Sequence, residues 1–463
     1  MARSLRSRAL GASLLFANSI LAVAIPARAE PGLVTARADA ERRAPAPAAS
    51  GPAELARGAF ERLEAEHARH PERRPGTKVL SLRDALQEAV KRGPEVLVAL
   101  APRASLLRAE QTAAPTLLQP PSLSAQLGPR FLDDRIAPEF IVGISQPLSL
   151  SRQGALQKQV AKGELRLQEE SLRLEKIAAA MAAGNAWLDL ALTHNLLELR
   201  RASLDEAEKL RRLAETRVRL GQADPLELAV ARAEAARSRA LLLEAEGAHF
   251  AASADLSLAL GLEAARVESD GGLPPPPPWN EGKRAEEERW TEARLLAEES
   301  LAGARAKLAR AQQSPGLSVG VQYQREGTGE QVLTGTLTMP LFDFKPGRYQ
   351  EALLLAEQDK LSQAAKGQRQ KAKVERDRAA HEEAHAQVLF ELLSKEALPA
   401  ARQAVKIVTA KYELGEVDIS RVALHRQQLL TLEENAAVAL AAVHRAVLGR
   451  LKATGLLLEE YSL

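Results

Sequence analysis

The stretch Arg217-Val-Arg-Leu-Gly-Gln-Ala-Asp-Pro-Leu-Glu-Leu228 interrupts a long helical pattern with one glycine and one proline. A near-copy, Lys411-Tyr-Glu-Leu-Gly-Glu-Val-Asp-Ile-Ser-Arg-Val422, follows later, and Gly221 and Gly415 stand 194 positions apart. Glycine adopts the left-handed conformation that ends a helix, and aspartate is a favourable N-cap for the helix that follows. The two stretches therefore predict two tight turns, each joining a pair of long helices.

The similarity extends beyond the turns. Pro121-Ser-Leu-Ser124 recurs as Pro315-Gly-Leu-Ser318, and Leu260-Gly-Leu262 recurs as Thr454-Gly-Leu456, each at the same offset of 194. This period is far longer than the repeat of a solenoid, which is about 20–50 residues. The spacing indicates a whole structural unit that the chain uses twice.

The two units are separated by a run of prolines. We predict that the first unit covers residues 77–270 and the second covers residues 284–463. Between them, residues 271–283 contain five consecutive prolines, which is typical of a linker.

The first 29 residues resemble a secretory signal peptide. Three arginines precede an apolar run, and Ala27-Arg-Ala29 matches the A-x-A cleavage pattern. The alternative is an N-terminal membrane anchor. Residues 30–76 are rich in alanine, proline, arginine and glutamate, and we predict a disordered N-terminal lead.

Removal of the predicted signal peptide changes the net charge of the chain. The sequence has a net charge of +3 and no cysteine, and the predicted signal peptide holds four arginines and no acid, so the remainder carries −1. The basic isoelectric point therefore does not indicate a nucleic-acid partner. No apolar run after residue 29 is long enough for a transmembrane helix, so the exported chain is periplasmic, secreted or an outer-membrane β-barrel protein.

Two segments, at about 121–148 and 315–341, alternate apolar and polar residues with the period of two that is typical of β-hairpins. Apolar residues on one face suit lipid, and small polar residues on the other suit a wet lumen. The alternative is that the polar face lies in bulk water on a soluble core.

Four strands are too few to close a barrel. Open sheet edges are not tolerated in lipid, and the smallest outer-membrane barrels have about eight strands. We therefore predict that the barrel is shared between chains; three chains would give twelve strands.

Long helical patterns follow each hairpin. The segment from Gln153 to Leu220 lacks proline, and its predicted partner runs from Pro225 to about Leu262; Gln350–Leu414 and Ile419–Ala453 repeat the pair. Apolar residues recur every seven positions, as in a coiled-coil seam, at Val160, Leu167, Leu174, Met181 and Leu188. The predicted fold class is mostly α with a small β part, with duplicated long helical hairpins and four strands per chain.

One motif suggests catalysis. His381-Glu-Glu-Ala-His385 matches the zinc-protease pattern, which places two histidines on one helix face. It lies in the highly charged segment Lys366–Gln387, which we predict to be a solvated outer face, and no third ligand is nearby. We predict no catalytic residues, no metal and no cofactor; the enzyme alternative rests on His381 and His385 alone.

The order of these landmarks resembles the TolC-like outer membrane factor family, also called outer membrane efflux proteins. The likeness covers about residues 77–460 and includes Ser81-Leu-Arg-Asp-Ala-Leu86, Gly93-Pro94 where the family often has Asn-Pro, and the two Leu-Gly turns. It implies a homotrimer whose barrel lies in the outer membrane and continues as a twelve-helix tunnel in the periplasm. It further implies a passive exit duct of a tripartite efflux or type I secretion system, which meets a periplasmic adaptor (membrane fusion protein) and an inner-membrane pump.

The resemblance also assigns roles to the two turns. The positions that match the family's adaptor-docking tips are Leu220, Gly221, Gln222, Leu414, Gly415 and Glu416. Family members commonly carry an acid six residues after each glycine; Glu227 fits this pattern and Arg421 departs from it. Val417 stands where some members carry a basic gate residue.

From these residues we hypothesise a periplasmic entrance of mixed charge, formed by Asp224, Glu227, Asp418 and Arg421. The alternative is that Asp224 and Asp418 are only helix caps. Two other classes of protein carry helical hairpins: a periplasmic adaptor, which should have an inner-membrane anchor and lipoyl-like β segments, and a soluble coiled-coil scaffold. Neither of the adaptor's features is visible in the sequence.

Overall fold

The structure is a computed structural model that describes residues 78–113, 120–131, 136–148, 152–262, 267–277, 290–313, 316–326, 328–339 and 346–463. The predicted signal peptide (1–29) and N-terminal lead (30–76) lie outside the described residues. None of the described helices has an apolar stretch long enough to cross a membrane.

The described part of the chain is mostly helical with a few strands, as the sequence predicts. In chain order the elements are β1 (Lys78–Leu80), α1 (Leu82–Arg92), α2 (Pro94–Leu100), α3 (Arg103–Thr112), β2 (Ser122–Phe131), β3 (Ile136–Leu148), α4 (Gln153–Arg219), α5 (Pro225–Ala259), β4 (Val267–Ser269), α6 (Trp290–Gln312), β5 (Leu317–Arg325), β6 (Gln331–Thr338), α7 (Pro346–Leu392), a π-helical segment (Leu393–Ala397), α8 (Leu398–Glu413), α9 (Ile419–Thr454) and α10 (Leu457–Glu460). A β-hairpin, a long helix, a turn and a returning helix follow one another twice. With 67 residues, α4 is about 100 Å long.

The two β-hairpins form one antiparallel sheet in the order β2-β3-β5-β6. The central pair is β3 with β5, where Val142 pairs with Tyr323 while it also pairs with Ala125 of β2. The outermost strands, β2 and β6, therefore each have one edge that no strand of the described chain covers.

Ser81 with Asp84 in the sequence predicts an N-cap and the first turn of a helix, and the helix that follows Ser81 confirms this. The Ser81 hydroxyl accepts a hydrogen bond from the Asp84 backbone N–H (3.2 Å), and the Asp84 carboxylate accepts one from the Ser81 N–H (3.3 Å). These hydrogen bonds lower the pKa of Asp84. After Gly93-Pro94 the sequence pattern predicts one further helix to about Ala113. This is wrong, because α2 ends at Leu100 and α3 begins after Pro102, whose ring cannot occupy a helix interior without a break.

The sequence patterns did not predict a two-stranded parallel sheet, which the structure contains. β1 pairs with β4 in the register Lys78–Val267 to Leu80–Ser269. The Leu80 carbonyl accepts hydrogen bonds from the Trp187 indole N–H (2.7 Å) and the Asp270 N–H (3.1 Å). Trp187 is 2% exposed and belongs to the larger core, which joins α1, the middle of α4 and the ends of α5 and α9.

The predicted heptad seam on α4 is only partly correct. Leu188 is buried, but the other four positions of the seam are half-buried. The buried residues of α4 are instead mostly small, and at Gly184 an added Cβ would lie 3.0 Å from Leu448 and 3.1 Å from Leu86. Since α4 packs against α1, α5 and α9 at once, close approach on several faces replaces a single seam.

The long helix that leads to the second turn, predicted as Gln350–Leu414, is not α-helical throughout. A π-helical segment, Leu393–Ala397, lies just before Pro399. Proline has no N–H to donate and its ring crowds the carbonyl four residues earlier, so a wider turn accommodates it. Upstream, α7 buries a stripe of alanines at seven-residue spacing, namely Ala365, Ala372, Ala379 and Ala386, while most of its charged side chains are exposed as predicted.

The start of the predicted linker (271–283) packs on the helices at Leu273 and Pro274. Leu273 contacts the larger core, and the Pro274 carbonyl lies 3.0 Å from Nε2 of His444. Burial lowers the pKa of His444, so the neutral ring can donate its N–H to this carbonyl. The linker is therefore a structural contact between the two halves.

We expect Trp187→Ala to lower the free energy of unfolding by about 3–5 kcal/mol, because it leaves a large cavity in the core. Trp187→Phe should lower the free energy of unfolding by roughly 1 kcal/mol, since the phenylalanine keeps most of the side-chain volume but loses the hydrogen bond to the Leu80 carbonyl. The melting temperature of the purified protein checks both. Phe250→Leu, at an exposed position of α5, is the control; equal losses for all three variants would contradict the assignment.

Candidate functional site

The two predicted turns have the same backbone geometry. Gly221 and Gly415 adopt φ values of 69° and 78°. The N–H of Gln222 donates to the Arg217 carbonyl (2.8 Å), and the N–H of Glu416 donates to the Lys411 carbonyl (2.9 Å). This six-to-one hydrogen bond closes a helix on a left-handed glycine, so the duplicated sequence does form duplicated turns.

Both aspartates cap the helices that follow. Asp224 accepts a hydrogen bond from the Leu226 N–H (2.8 Å), and Asp418 accepts one from the Arg421 N–H (3.1 Å). Each carboxylate thus satisfies a backbone donor that the first turn of a helix leaves unpaired. This geometry favours the capping alternative for the two aspartates.

The six predicted docking residues are exposed at the ends of the two helical hairpins. Leu220 is 63% exposed and Leu414 is 76% exposed, although both are large apolar side chains. Each leucine stands beside the glycine of its turn. The two tips are therefore a matched pair of apolar points on otherwise polar turns.

A small core holds the two tips together. Tyr412 is fully buried there, together with Leu210 and Ala214 of α4, Ala231 of α5, and Ile419 and Val422 of α9. Since these residues come from both helical hairpins, the core fixes one tip against the other.

Three polar side chains extend this contact. The Tyr412 hydroxyl donates to Oε2 of Glu227 (3.2 Å), and Nη1 of Arg217 donates to the Tyr412 carbonyl (3.2 Å). The Arg217 guanidinium also lies 4.7 Å from the centre of the Tyr412 ring, which is a cation–π contact. Burial, and secondarily Glu227, raises the pKa of Tyr412, so the phenol stays protonated and able to donate.

The structure thus places the predicted entrance residues in different settings. Glu227 is half-buried and bonded to Tyr412, whereas Arg421 is exposed on α9. Sequence reasoning missed Arg217 and Tyr412, which connect the tips. A detectable sign was the asymmetry of the copies, since Tyr412 occupies the position of Val218 in the first stretch.

The His-Glu motif lies on the exposed side of α7. The His381 and His385 rings are 6.5 Å apart between centroids, and both side chains are exposed. Glu382, which would be the general base of a zinc protease, accepts a hydrogen bond from Nε of Arg378 (2.6 Å). Among the described residues no group of three or more potential ligands is arranged to hold a metal ion.

The four-stranded sheet has one apolar face that is exposed along its whole length. Ten large apolar side chains on this face are between 40% and 83% exposed. They are Leu123, Leu127, Phe131, Ile136, Val142, Ile144, Val319, Val321, Leu333 and Leu337. An apolar surface of this extent marks a face that contacts something other than water.

The opposite face of the sheet is mainly small and polar. Its cross-strand pairs include Ser122 with Ser145 and Ser318 with Thr338. Backbones and side chains crowd closely there, and a Cβ added at Gly320 would lie 2.7 Å from the hydroxyl of Thr336. The predicted alternation between an apolar and a polar face is therefore present in the sheet.

We expect Tyr412→Phe to loosen the tips, because it removes the hydrogen bond to Glu227 and keeps the ring. If the free energy of local opening falls by about 1 kcal/mol, amide exchange around both turns becomes roughly fivefold faster. Hydrogen exchange with mass spectrometry measures this. Tyr349→Phe, at an exposed tyrosine of α7, is the control; unchanged exchange at the first turn would contradict the proposed link.

No protein-family model matches the sequence, and no curated protein does either. Solved structures do match. A membrane protein of Pseudomonas aeruginosa is 19% identical with a TM-score of 0.67, over 82% of this chain and 91% of that one. The Campylobacter jejuni CmeC outer membrane channel is 13% identical (TM-score 0.68, 81% and 86%), and the Vibrio cholerae outer membrane protein VceC is 18% identical (TM-score 0.66, 81% and 96%). The chain therefore has the fold of these membrane proteins, two of which are outer membrane proteins.

Proposed function

We propose that this chain is an outer membrane channel and serves as the passive exit duct of a tripartite efflux or type I secretion system. The observation that carries the proposal is the four-stranded sheet, with its exposed apolar face, its small polar face and its two open edges. The same fold in outer membrane channels of other bacteria supports it.

The apolar face argues against a sheet in water. Leaving a large aliphatic or aromatic side chain exposed forgoes about 1.5–3 kcal/mol relative to burial. Ten such side chains share one face, and no described helix covers them. The alternative of a soluble core beneath the polar face leaves this surface unexplained, whereas contact with lipid accounts for it.

The open edges argue for several copies. β2 and β6 each carry a row of backbone groups without a strand partner in the described chain, and lipid cannot satisfy these groups. Three chains would pair β6 of one with β2 of the next and close a twelve-stranded barrel. The polar faces then line a wet lumen, and the helical hairpins continue it into the periplasm.

The tips supply the proposed contact with a partner. Leu220 and Leu414 stand exposed beside turns of identical backbone, so a trimer presents six similar points at its periplasmic end. Such a repeated apolar point suits a periplasmic adaptor that joins the duct to an inner-membrane pump. Solutes would be moved by the pump, because the duct itself needs no chemistry.

The entrance would lie between the tips. The link of Arg217, Tyr412 and Glu227 holds the two hairpins of one chain together at this point. Asp224, Asp418 and Arg421 are exposed beside it and would add charge to the opening.

Cross-linking tests the closed barrel. The chain has no cysteine, so only introduced thiols react. Ser124 on β2 and Thr336 on β6 both belong to the polar face at the open edges. We expect the double variant Ser124→Cys/Thr336→Cys, treated with a bismaleimide in membranes, to give covalent trimers on denaturing gels.

Each single-cysteine variant is the matched control, because neither can bridge a β2 edge to a β6 edge. Trimers are expected from the double variant alone. If it stays monomeric with linkers of several lengths, the shared barrel is wrong.

A charge reversal tests the entrance. Glu227→Lys removes the acceptor of Tyr412 and places a second cation near Arg217, so we expect a higher single-channel conductance in planar bilayers. Glu413→Lys makes the same charge change at an exposed position of the second tip and is the control. Equal conductance for the two variants would remove Glu227 from the entrance.

A further inference from the structure

The polar face of the sheet carries its charge at one end only. Among the described strand residues of this face, the charged side chains are Arg130 and Glu139, and Glu326 follows directly after β5. Elsewhere the face consists mainly of serine, threonine, glutamine and glycine. A charged cluster, defined as Arg130, Glu139 and Glu326, is thus set apart from a neutral surface.

The cluster is built from neighbouring strands and is tightly connected. Nη1 of Arg130 forms an ion pair with Glu326 and lies 3.9 Å from Oε2 of Glu139. The Gln324 side chain donates a hydrogen bond to Oε1 of Glu139 (2.6 Å). The two carboxylates are therefore held in place, while their side chains remain 25% and 23% exposed.

The position of the cluster follows from the topology. β2 ends at Phe131 opposite Ile136, where β3 begins, and β5 ends at Arg325 opposite Gln331, where β6 begins. α4 begins five residues after the opposite end of β3. The cluster accordingly lies at the end of the sheet that faces away from the long helices.

We propose that this cluster forms a charged ring at the outer mouth of the duct and makes the duct favour cations over anions. The inference rests on the proposed function, which places the polar face in the lumen. One guanidinium and two carboxylates leave a charge of −1 per chain, and three copies would repeat it around the opening. Glu330, exposed in the same turn, adds charge of the same sign.

The distance over which this charge acts in salt solution decides whether it affects ions near the centre of a wide opening. The Debye length is about 10 Å at 0.1 M salt and about 3 Å at 1 M. A ring of fixed charge therefore acts across much of a lumen at low salt and is screened at high salt. The lower part of the polar face has no charge that would oppose it in the described residues.

Reversal potentials in planar bilayers under a KCl gradient test this inference. Around 0.1 M KCl we expect a potassium-to-chloride permeability ratio above one. Glu139→Gln/Glu326→Gln should lower the ratio on the order of twofold, and Arg130→Gln should raise it, because each acts through a few unscreened charges. Both shifts should shrink at 1 M KCl.

Arg325→Gln is the matched control, because Arg325 lies at the same end of the sheet on the apolar face, paired with Gln331. Its ratio should equal that of the wild type. If the wild type forms channels and neither cluster variant shifts the ratio, the inference is overturned. If the wild type forms no channels at all, the proposed function fails instead.

Discussion

An open four-stranded sheet with one apolar face constrains everything else in this protein. Its outer strands leave backbone donors and acceptors unpaired, and its apolar face would be costly in water. Lipid relieves the second problem and worsens the first, because it offers no hydrogen bonds. In the proposed channel, closure with further copies would satisfy both conditions, and the long helices would extend from the closed ring.

The helices meet a second constraint at their far ends. The chain has two helical hairpins, and in the proposed channel their tips would need a fixed relation to surround one opening. Tyr412 fixes the two tips relative to each other, because its ring is buried in a core shared by both hairpins. Its hydroxyl donates a hydrogen bond to Glu227, and its carbonyl accepts one from Arg217. The two turns are identical in backbone, but this connection uses a residue that only one copy carries.

The sequence predicted what depends on local chemistry. Gly221 and Gly415 mark the turns because the left-handed conformation favours glycine, and Ser81 with Asp84 marks a capped helix start. The alternation of apolar and polar residues predicted the strands of the sheet, since one face of the sheet is apolar and the other is polar. Proline is a local signal of the same kind: Pro102 separates α2 from α3, and Pro399 follows the π-helical segment.

Features that depend on distant contacts were not predictable in this way. β1 and β4 are three residues each and pair across almost 190 positions, so neither has a period to detect. The Tyr412–Glu227 bond joins residues 185 positions apart. The predicted seam from Val160 to Leu188 is only partly correct, because packing on several sides of α4 decides burial and heptad spacing describes only one side.

The number of chains in one detergent-solubilised particle tests the central claim most directly. Native mass spectrometry of the protein extracted from membranes measures it without any substitution. The closed sheet requires three copies that remain together and need detergent to stay in solution. A single copy that is stable and monodisperse in detergent-free buffer would contradict the account.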